Sequence, residues 1–183
     1  SSDLTESPQG IVAIAVRPTH DRVVLDAASF VVVADGVSDP GNLGTIMRSA
    51  EAAGADAMVV TPGTVDDTNP KCVRASAGSL FRLPLVRAAD LDTVKDAGLR
   101  LLGTSSHRGS SYETFDLRSR VAIVVGHEAH GMAEDARVDD WITIPHAGRA
   151  ESLNVAMAAT VLCFEVARQR RGHSGTVSPG HED

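Results

Sequence analysis

The sequence predicts an α/β domain built on a mostly parallel sheet. Three observations carry this reading: short β-branched runs recur along the chain, helical or loop segments alternate with them, and several runs are apolar at every position, as strands covered on both faces must be. In chain order the strands are expected at 11–16, 30–33, 57–60, 83–86, 99–102, 121–125 and 141–144. Helices are expected at 42–53, where Leu43, Ile46, Met47 and Ala50 recur with helical spacing, at 70–77 behind Pro70, at 91–97, and at 152–171. Residues 172–183 are rich in Gly, Ser, Pro, His and acid and lack apolar periodicity, so they read as a disordered tail. Residues 1–10 read as a polar lead-in, and 11–171 as one domain.

Composition narrows the function. With 183 residues the chain is long enough to bury about 70% of its unfolded surface without metal or disulfide staples. The two cysteines, Cys72 and Cys163, form no Cys-x-x-Cys pair, which fits reduced thiols, and no run of about 18 apolar residues or secretory leader is visible, which points to the cytoplasm and away from a membrane. Seventeen basic against 24 acidic residues give a net charge of −7, and the six aromatic residues are scattered, so neither bulk electrostatics nor a base-stacking platform would hold nucleic acid. Any RNA contact must be local. Only Lys71 and Lys95 among the 17 basic residues are lysines, and arginine is the better bidentate phosphate ligand.

Three loops at expected strand ends are candidates for chemistry. The first runs from Asp35 to Arg48. Asn42 is placed to cap the helix behind it, and Arg48 lies one turn beyond Gly44, where a missing side chain would leave a path to its guanidinium. The same segment also reads as an ordinary capped helix with a surface arginine. The second loop, Gly126-His127-Glu128-Ala129-His130-Gly131, follows a buried strand. Its histidines are three apart in a glycine-bounded loop, unlike the helical i, i+4 pair of a zinc protease, so no metal site is expected. The third runs from Ile144-Pro145 through Gly148 to Ser152-Leu153-Asn154-Val155, with Ser152 a candidate N-cap. The helix after it is apolar on every face to Val166 except for Glu165, which calls either for a second subunit or for burial within the domain. Thr104 to Gly109 lies at another strand end and reads as a ligand loop or a turn. There is no P-loop, no Gly-x-Ser-x-Gly elbow and no Gly-x-Gly-x-x-Gly.

Taken together, Asn42-Leu43-Gly44-x-x-x-Arg48, Gly126-x-Glu128-x-x-Gly131 and Ile144-Pro145-x-x-Gly148-x-x-x-Ser152-Leu153-Asn154-Val155 resemble, in order and spacing, the three motifs of the SpoU family of RNA ribose 2′-O-methyltransferases in the SPOUT superfamily. The resemblance extends over about residues 7–171, including Ser7-Pro8-Gln9-Gly10 and Arg74-Ala75-Ser76-x-Gly78-Ser79-Leu80-Phe81. It implies an α/β fold whose mostly parallel sheet carries a C-terminal trefoil knot, an exception to unknotted topology. It also implies S-adenosyl-L-methionine as cofactor, RNA as substrate, and a homodimer that completes each active site. Gly126, Ile144 and Leu153 would hold the cofactor, with Thr104 nearby, and Asn42, Arg48, Glu128, Ser152 and Asn154 map onto catalytic and substrate-binding positions.

The implied reaction is in-line attack of a ribose hydroxyl on a sulfonium methyl and needs no metal. An arginine is a poor base at neutral pH, so Arg48 is expected to grip a neighbouring phosphate and lower the hydroxyl pKa, with Glu128, Ser152 and Asn154 ordering it. The chain departs from the family pattern at His146, commonly Met, and at Ala156, commonly Ser. Many members carry an RNA-binding domain before the Ser-Pro-Gln-Gly entry, and residues 1–10 are its expected remnant. The segment 152–171 looks closest to the ribosomal RNA branch. Transfer RNA, or a non-catalytic knotted RNA-binding or assembly factor, are the alternatives.

Overall fold

The structure is a computed structural model and describes residues 20–133, 135–149 and 151–171. The expected strand at 11–16, the lead-in and the tail lie outside the described residues. Seven strands, β1 Phe30–Ala34, β2 Ala57–Val60, β3 Leu85–Arg87, β4 Arg100–Thr104, β5 Ser110–Ser111, β6 Val121–Val125 and β7 Asp140–Thr143, form one sheet in the order β3-β2-β1-β6-β4-β7-β5. All of their pairings are parallel. The helices are α1 Val23–Ala27, α2 Pro40–Ala52, α3 Pro70–Ala75, α4 Asp92–Lys95 and α5 Val155–Arg171.

The central strands are buried on both faces, and their alternate residues feed two cores. Phe30, Val32 and Ala34 of β1 and Val121, Ile123 and Val125 of β6 join Leu43, Ile46 and Met47 of α2 and Leu162 and Val166 of α5 on one side. Val31, Val33, Ala122 and Val124 join Leu25 of α1 and Val94 of α4 on the other.

Local chemistry shifts several expected boundaries. β3 begins at Leu85, just past Pro84, which has no N–H to give the ladder, although its carbonyl still accepts from the Met58 N–H at 2.8 Å. β7 stops at Thr143, two residues before Pro145. α4 is a single turn because Gly98 turns the chain with φ +79°.

Helix α2 starts earlier than expected, and its cap is Asp39, not Asn42. The Asp39 carboxylate accepts from the Asn42 N–H at 2.8 Å, and Pro40 occupies the first helical turn, where its lost N–H costs nothing. Gly44 does not open a path to Arg48. A Cβ there would stand 2.4 Å from the Cys72 carbonyl oxygen and 2.7 Å from the Ala75 Cβ, so its small size is spent on close packing of α2 against α3.

Helix α5 likewise begins at Val155 rather than 152 and is buried on one face only. Ala156, Ala159, Leu162, Cys163 and Val166 are buried, while Met157, Val161 and Phe164 are 63%, 38% and 42% exposed. Its C-terminal end is pinned to the sheet: Arg170 donates to the carbonyls of Ser29, Leu117 and Ser119, and Gln169 donates to the Phe115 carbonyl while accepting from the Leu117 N–H.

β7 lies between β4 and β5, two strands that precede it in the chain and are joined by residues 105–109. That loop therefore crosses from one side of β7 to the other. It passes so closely that a Cβ on Gly109 would meet the Trp141 carbonyl oxygen at 2.2 Å. Late insertion of a strand between two earlier, directly linked ones is the step that threads a chain.

Candidate active site

The carboxyl ends of β6, β4 and β7 are adjacent, so the loops leaving them share one space. They enclose a cavity of about 470 Å³, within the range of about 300–1,000 Å³ usual for small-molecule sites. Thr104, Gly126, Ile144 and Leu153 all line it, as do Glu128 and Ser152. Asn42, Asn154 and Arg48 are not part of its wall.

Glu128 links the cavity to α2. Its carboxylate accepts from the Ser38 N–H at 3.0 Å, the Ser38 hydroxyl at 2.7 Å, the Asp39 N–H at 3.0 Å and the Asn42 side-chain amide at 3.0 Å. Partial burial pushes its pKa up, but the hydrogen bonds from Asn42, Asp39 and Ser38 outweigh this and hold it at about 2. An ionised carboxylate can only accept, so Asn42 must turn its NH₂ toward Glu128 and its oxygen away. That oxygen accepts from the Asn154 NH₂ at 3.1 Å, which in turn aims the Asn154 oxygen at the start of α5. There it accepts from the Ala156 N–H at 2.9 Å and the Met157 N–H at 3.3 Å. Asn154, not Ser152, is thus the cap of α5. One charge fixes the orientation of two amides and ties the three motifs together.

The remaining candidates stand apart. Ser152 is exposed and makes no hydrogen bond among the described residues. Arg48 is exposed on α2, six residues and so about 9 Å along the axis from Asn42, and it makes no hydrogen bond or ion pair among the described residues. Within one chain nothing joins it to Glu128, Ser152 or Asn154. The helix that carries it packs against α5 one residue further on, where the Ser49 hydroxyl lies 2.7 Å from the Thr160 hydroxyl.

Two features of the cavity escaped the sequence reading. The Arg108 guanidinium stacks 3.4 Å above the Trp141 ring, and both residues line the cavity. The imidazoles of His127 and His130 lie with Nδ1 atoms 3.4 Å apart, and His127 Nδ1 accepts from the Ala129 N–H at 3.0 Å. No spacing rule announces either one. The Asp39 cap, by contrast, has a local signal in the Asp39-Pro40 pair, although Asn42 was the expected cap.

A parallel α/β sheet with a polar, loop-built cavity outside three strand ends defines a small-molecule-binding protein of the open-sheet kind. More narrowly, the chain belongs to the SpoU rRNA Methylase family, whose profile matches residues 29–164. It is 39% identical over 167 residues to the 23S rRNA (guanosine(2553)-2′-O)-methyltransferase RlmP of Bacillus subtilis, covering 88% of this chain and 66% of that protein. It is 37% identical over 178 residues to the 23S rRNA (uridine(2479)-2′-O)-methyltransferase of Streptomyces viridochromogenes, covering 90% of this chain and 62% of that one. The chain thus spans a little under two thirds of the length of these relatives. Among solved structures it resembles the SpoU methyltransferase AviRb of Streptomyces viridochromogenes in complex with the cofactor AdoMet, with a TM-score of 0.72 and 39% identity over 79% of this chain and 59% of that one.

Proposed function

We propose that this chain is the catalytic domain of an S-adenosyl-L-methionine-dependent methyltransferase that modifies a ribose 2′-hydroxyl of RNA, with 23S ribosomal RNA as its substrate. The observation that carries the reading is the cavity at the ends of β4, β6 and β7, which gathers Thr104, Gly126, Ile144 and Leu153 and is bordered by the ionised Glu128. The 23S rRNA specificity of the two relatives supports the substrate class.

The cavity suits the cofactor. Ile144, Leu153 and Val155 offer apolar walls for a flat ring, and Thr104, Ser105, Ser106 and Arg108 offer polar groups for an amino-acid tail. Bound there, S-adenosylmethionine supplies an electrophilic methyl group on a sulfonium. Glu128 already accepts four hydrogen bonds and is held at a pKa of about 2, so it is a positioning group and not the proton acceptor. Arg48, whose guanidinium has no partner among the described residues, would grip the phosphate beside the target ribose. Its charge stabilises the developing alkoxide, and the proton leaves to that phosphate or to solvent.

Arg48 needs a route to a cavity it does not line, and a second copy of the chain provides one. The exposed Met157, Val161 and Phe164 form a contiguous stripe on α5 that a homodimer would bury, and α2, which carries Arg48, packs against α5 through Ser49 and Thr160. The threaded β7 segment is the site of the trefoil knot in this reading. No helix among the described residues is long and apolar enough to cross a membrane, and we place the enzyme in the cytoplasm with its ribosomal substrate.

Calorimetric titration with S-adenosylhomocysteine, followed by product analysis on 23S rRNA and transfer RNA transcripts, tests the reading. One ligand per chain and an alkali-resistant dinucleotide from 23S rRNA are expected. A folded chain that binds no S-adenosylhomocysteine would remove the cofactor from the proposal. Binding without methylation of either RNA would leave a non-catalytic RNA-binding factor, and methylation of transfer RNA alone would move the substrate.

A further inference from the structure

His146 sits in the irregular segment between β7 and α5 and lines the cavity beside Ile144 and Leu153. Its Nε2 is buried and has no hydrogen-bond partner among the described residues. A sealed, unpartnered ring nitrogen is destabilising, and native structures retain such groups mainly where something else satisfies them. With its proton on Nδ1, the imidazole presents the Nε2 lone pair as an acceptor. The other histidines of the cavity differ. His107 is exposed to water, His127 Nδ1 already accepts from a backbone N–H, and His130 leans on His127.

We propose that His146 is a cofactor-recognition residue, whose Nε2 accepts a hydrogen bond from the adenosine part of the bound cofactor. The inference rests on the methyltransferase reading above and adds to it a side chain that selects the ligand. Two features favour the adenosine end. His146 shares its wall with Ile144, Leu153 and Val155, the apolar side suited to a purine, and adenosine carries neutral donors in its exocyclic amine and ribose hydroxyls. The cation and hydroxyls of Ser105, Ser106 and Arg108 belong to a different loop and suit the amino-acid tail. No described residue between β7 and α5 belongs to a helix or strand, so a small turn of the His146 side chain brings the ring onto the ligand.

The test is calorimetry on the full chain with two ligands: S-adenosylhomocysteine, and 5′-methylthioadenosine, which keeps the adenosine and lacks the amino acid. Methionine fills similar space without a strong acceptor, so His146→Met should weaken both ligands by about 5- to 10-fold. His146→Gln, which restores a side-chain acceptor, should recover most of that loss. In the wild-type chain the ¹⁵N resonance of His146 Nε2 should move when either ligand is added, a change that a purely packing role would not produce. Wild-type binding that His146→Met leaves equal or tightens, or an Nε2 resonance that stays still, overturns the inference alone. A loss confined to S-adenosylhomocysteine overturns the adenosine assignment. Absence of binding to the wild-type chain overturns the methyltransferase reading and this inference together.

Discussion

The cavity at the strand ends and the outer face of α2 and α5 lie on the same domain, yet they are finished to different degrees. Around the cavity, Ser38, Asp39, Asn42, Glu128 and Asn154 satisfy one another in a chain of hydrogen bonds whose donors and acceptors are all determined. On the outer face, Arg48 has no partner among the described residues, and Met157, Val161 and Phe164 are open to solvent. In the proposed function the contrast separates two tasks: one chain builds a pocket for a small ligand by itself, whereas applying the Arg48 cation to a substrate is left to whatever covers the outer face.

Arg48→Ala is the most direct way to sharpen this division. Loss of one well-placed charge-stabilising group typically costs about 100- to 1,000-fold in turnover, and that is the effect expected on RNA methylation. S-adenosylhomocysteine affinity should stay within about 2-fold, since Arg48 does not line the cavity. A parallel fall in cofactor affinity would erase the distinction between the regions. The double variant Met157→Asp, Phe164→Asp attacks the same face through assembly. Both side chains are exposed in the single chain, so its stability should change little. Sedimentation should then show monomers that still bind S-adenosylhomocysteine and no longer methylate. A dimer that survives both charges places the interface elsewhere.

Gly44→Ala should act on stability alone. The new methyl group would sit 2.4 Å from the Cys72 carbonyl oxygen, a backbone atom with little freedom to retreat. Overpacking of this kind costs about 1–3 kcal/mol, to be read from urea unfolding. Gly148→Ala, where nothing among the described residues lies within 4 Å of the added atom, is the matched control in the segment between β7 and α5 and should be nearly neutral.

How much of this was legible in the sequence follows from which interactions are local. β1 and β6 were visible because strands buried on both faces leave unbroken β-branched runs, and the structure gives their extents to within a residue. The short elements β3, β7 and α4 moved by a residue or more, where Pro84, Pro145 and Gly98 overrule periodicity. The caps of α2 and α5 went to Asp39 and Asn154 because several adjacent residues could serve each helix, and long-range bonds to Glu128 and Asn42 decide among them. Gly44 was misread for the same reason: a glycine records that something comes close, but not whether it is ligand or protein. The apolar character of α5 was plain, whereas the division between its buried and open faces depends on β6 and α2, which lie far away in the chain.

The smallest effect tests the electrostatic premise of the whole comparison. Glu128 has a folded-state pKa of about 2 against an ordinary 4.5, so its ionised form stabilises the fold fully above about pH 4.5, and that contribution fades as the pH falls toward 2. The unfolded chain takes up this proton first, so wild-type stability should rise with pH across that window. Glu128→Gln cannot titrate. At neutral pH it should be less stable by about 1 kcal/mol or less, because the carboxylate is largely solvent-screened, and its acid-unfolding profile should be shallower between pH 4.5 and 2, meeting the wild-type curve near the lower limit. The same variant also presents an NH₂ where four donors converge, so Asn42 and Asn154 lose the constraint that orients them. Equal acid slopes in the two proteins would mean that no fixed charge anchors the three motifs, and the cavity side would then be no more settled than the face that carries Arg48.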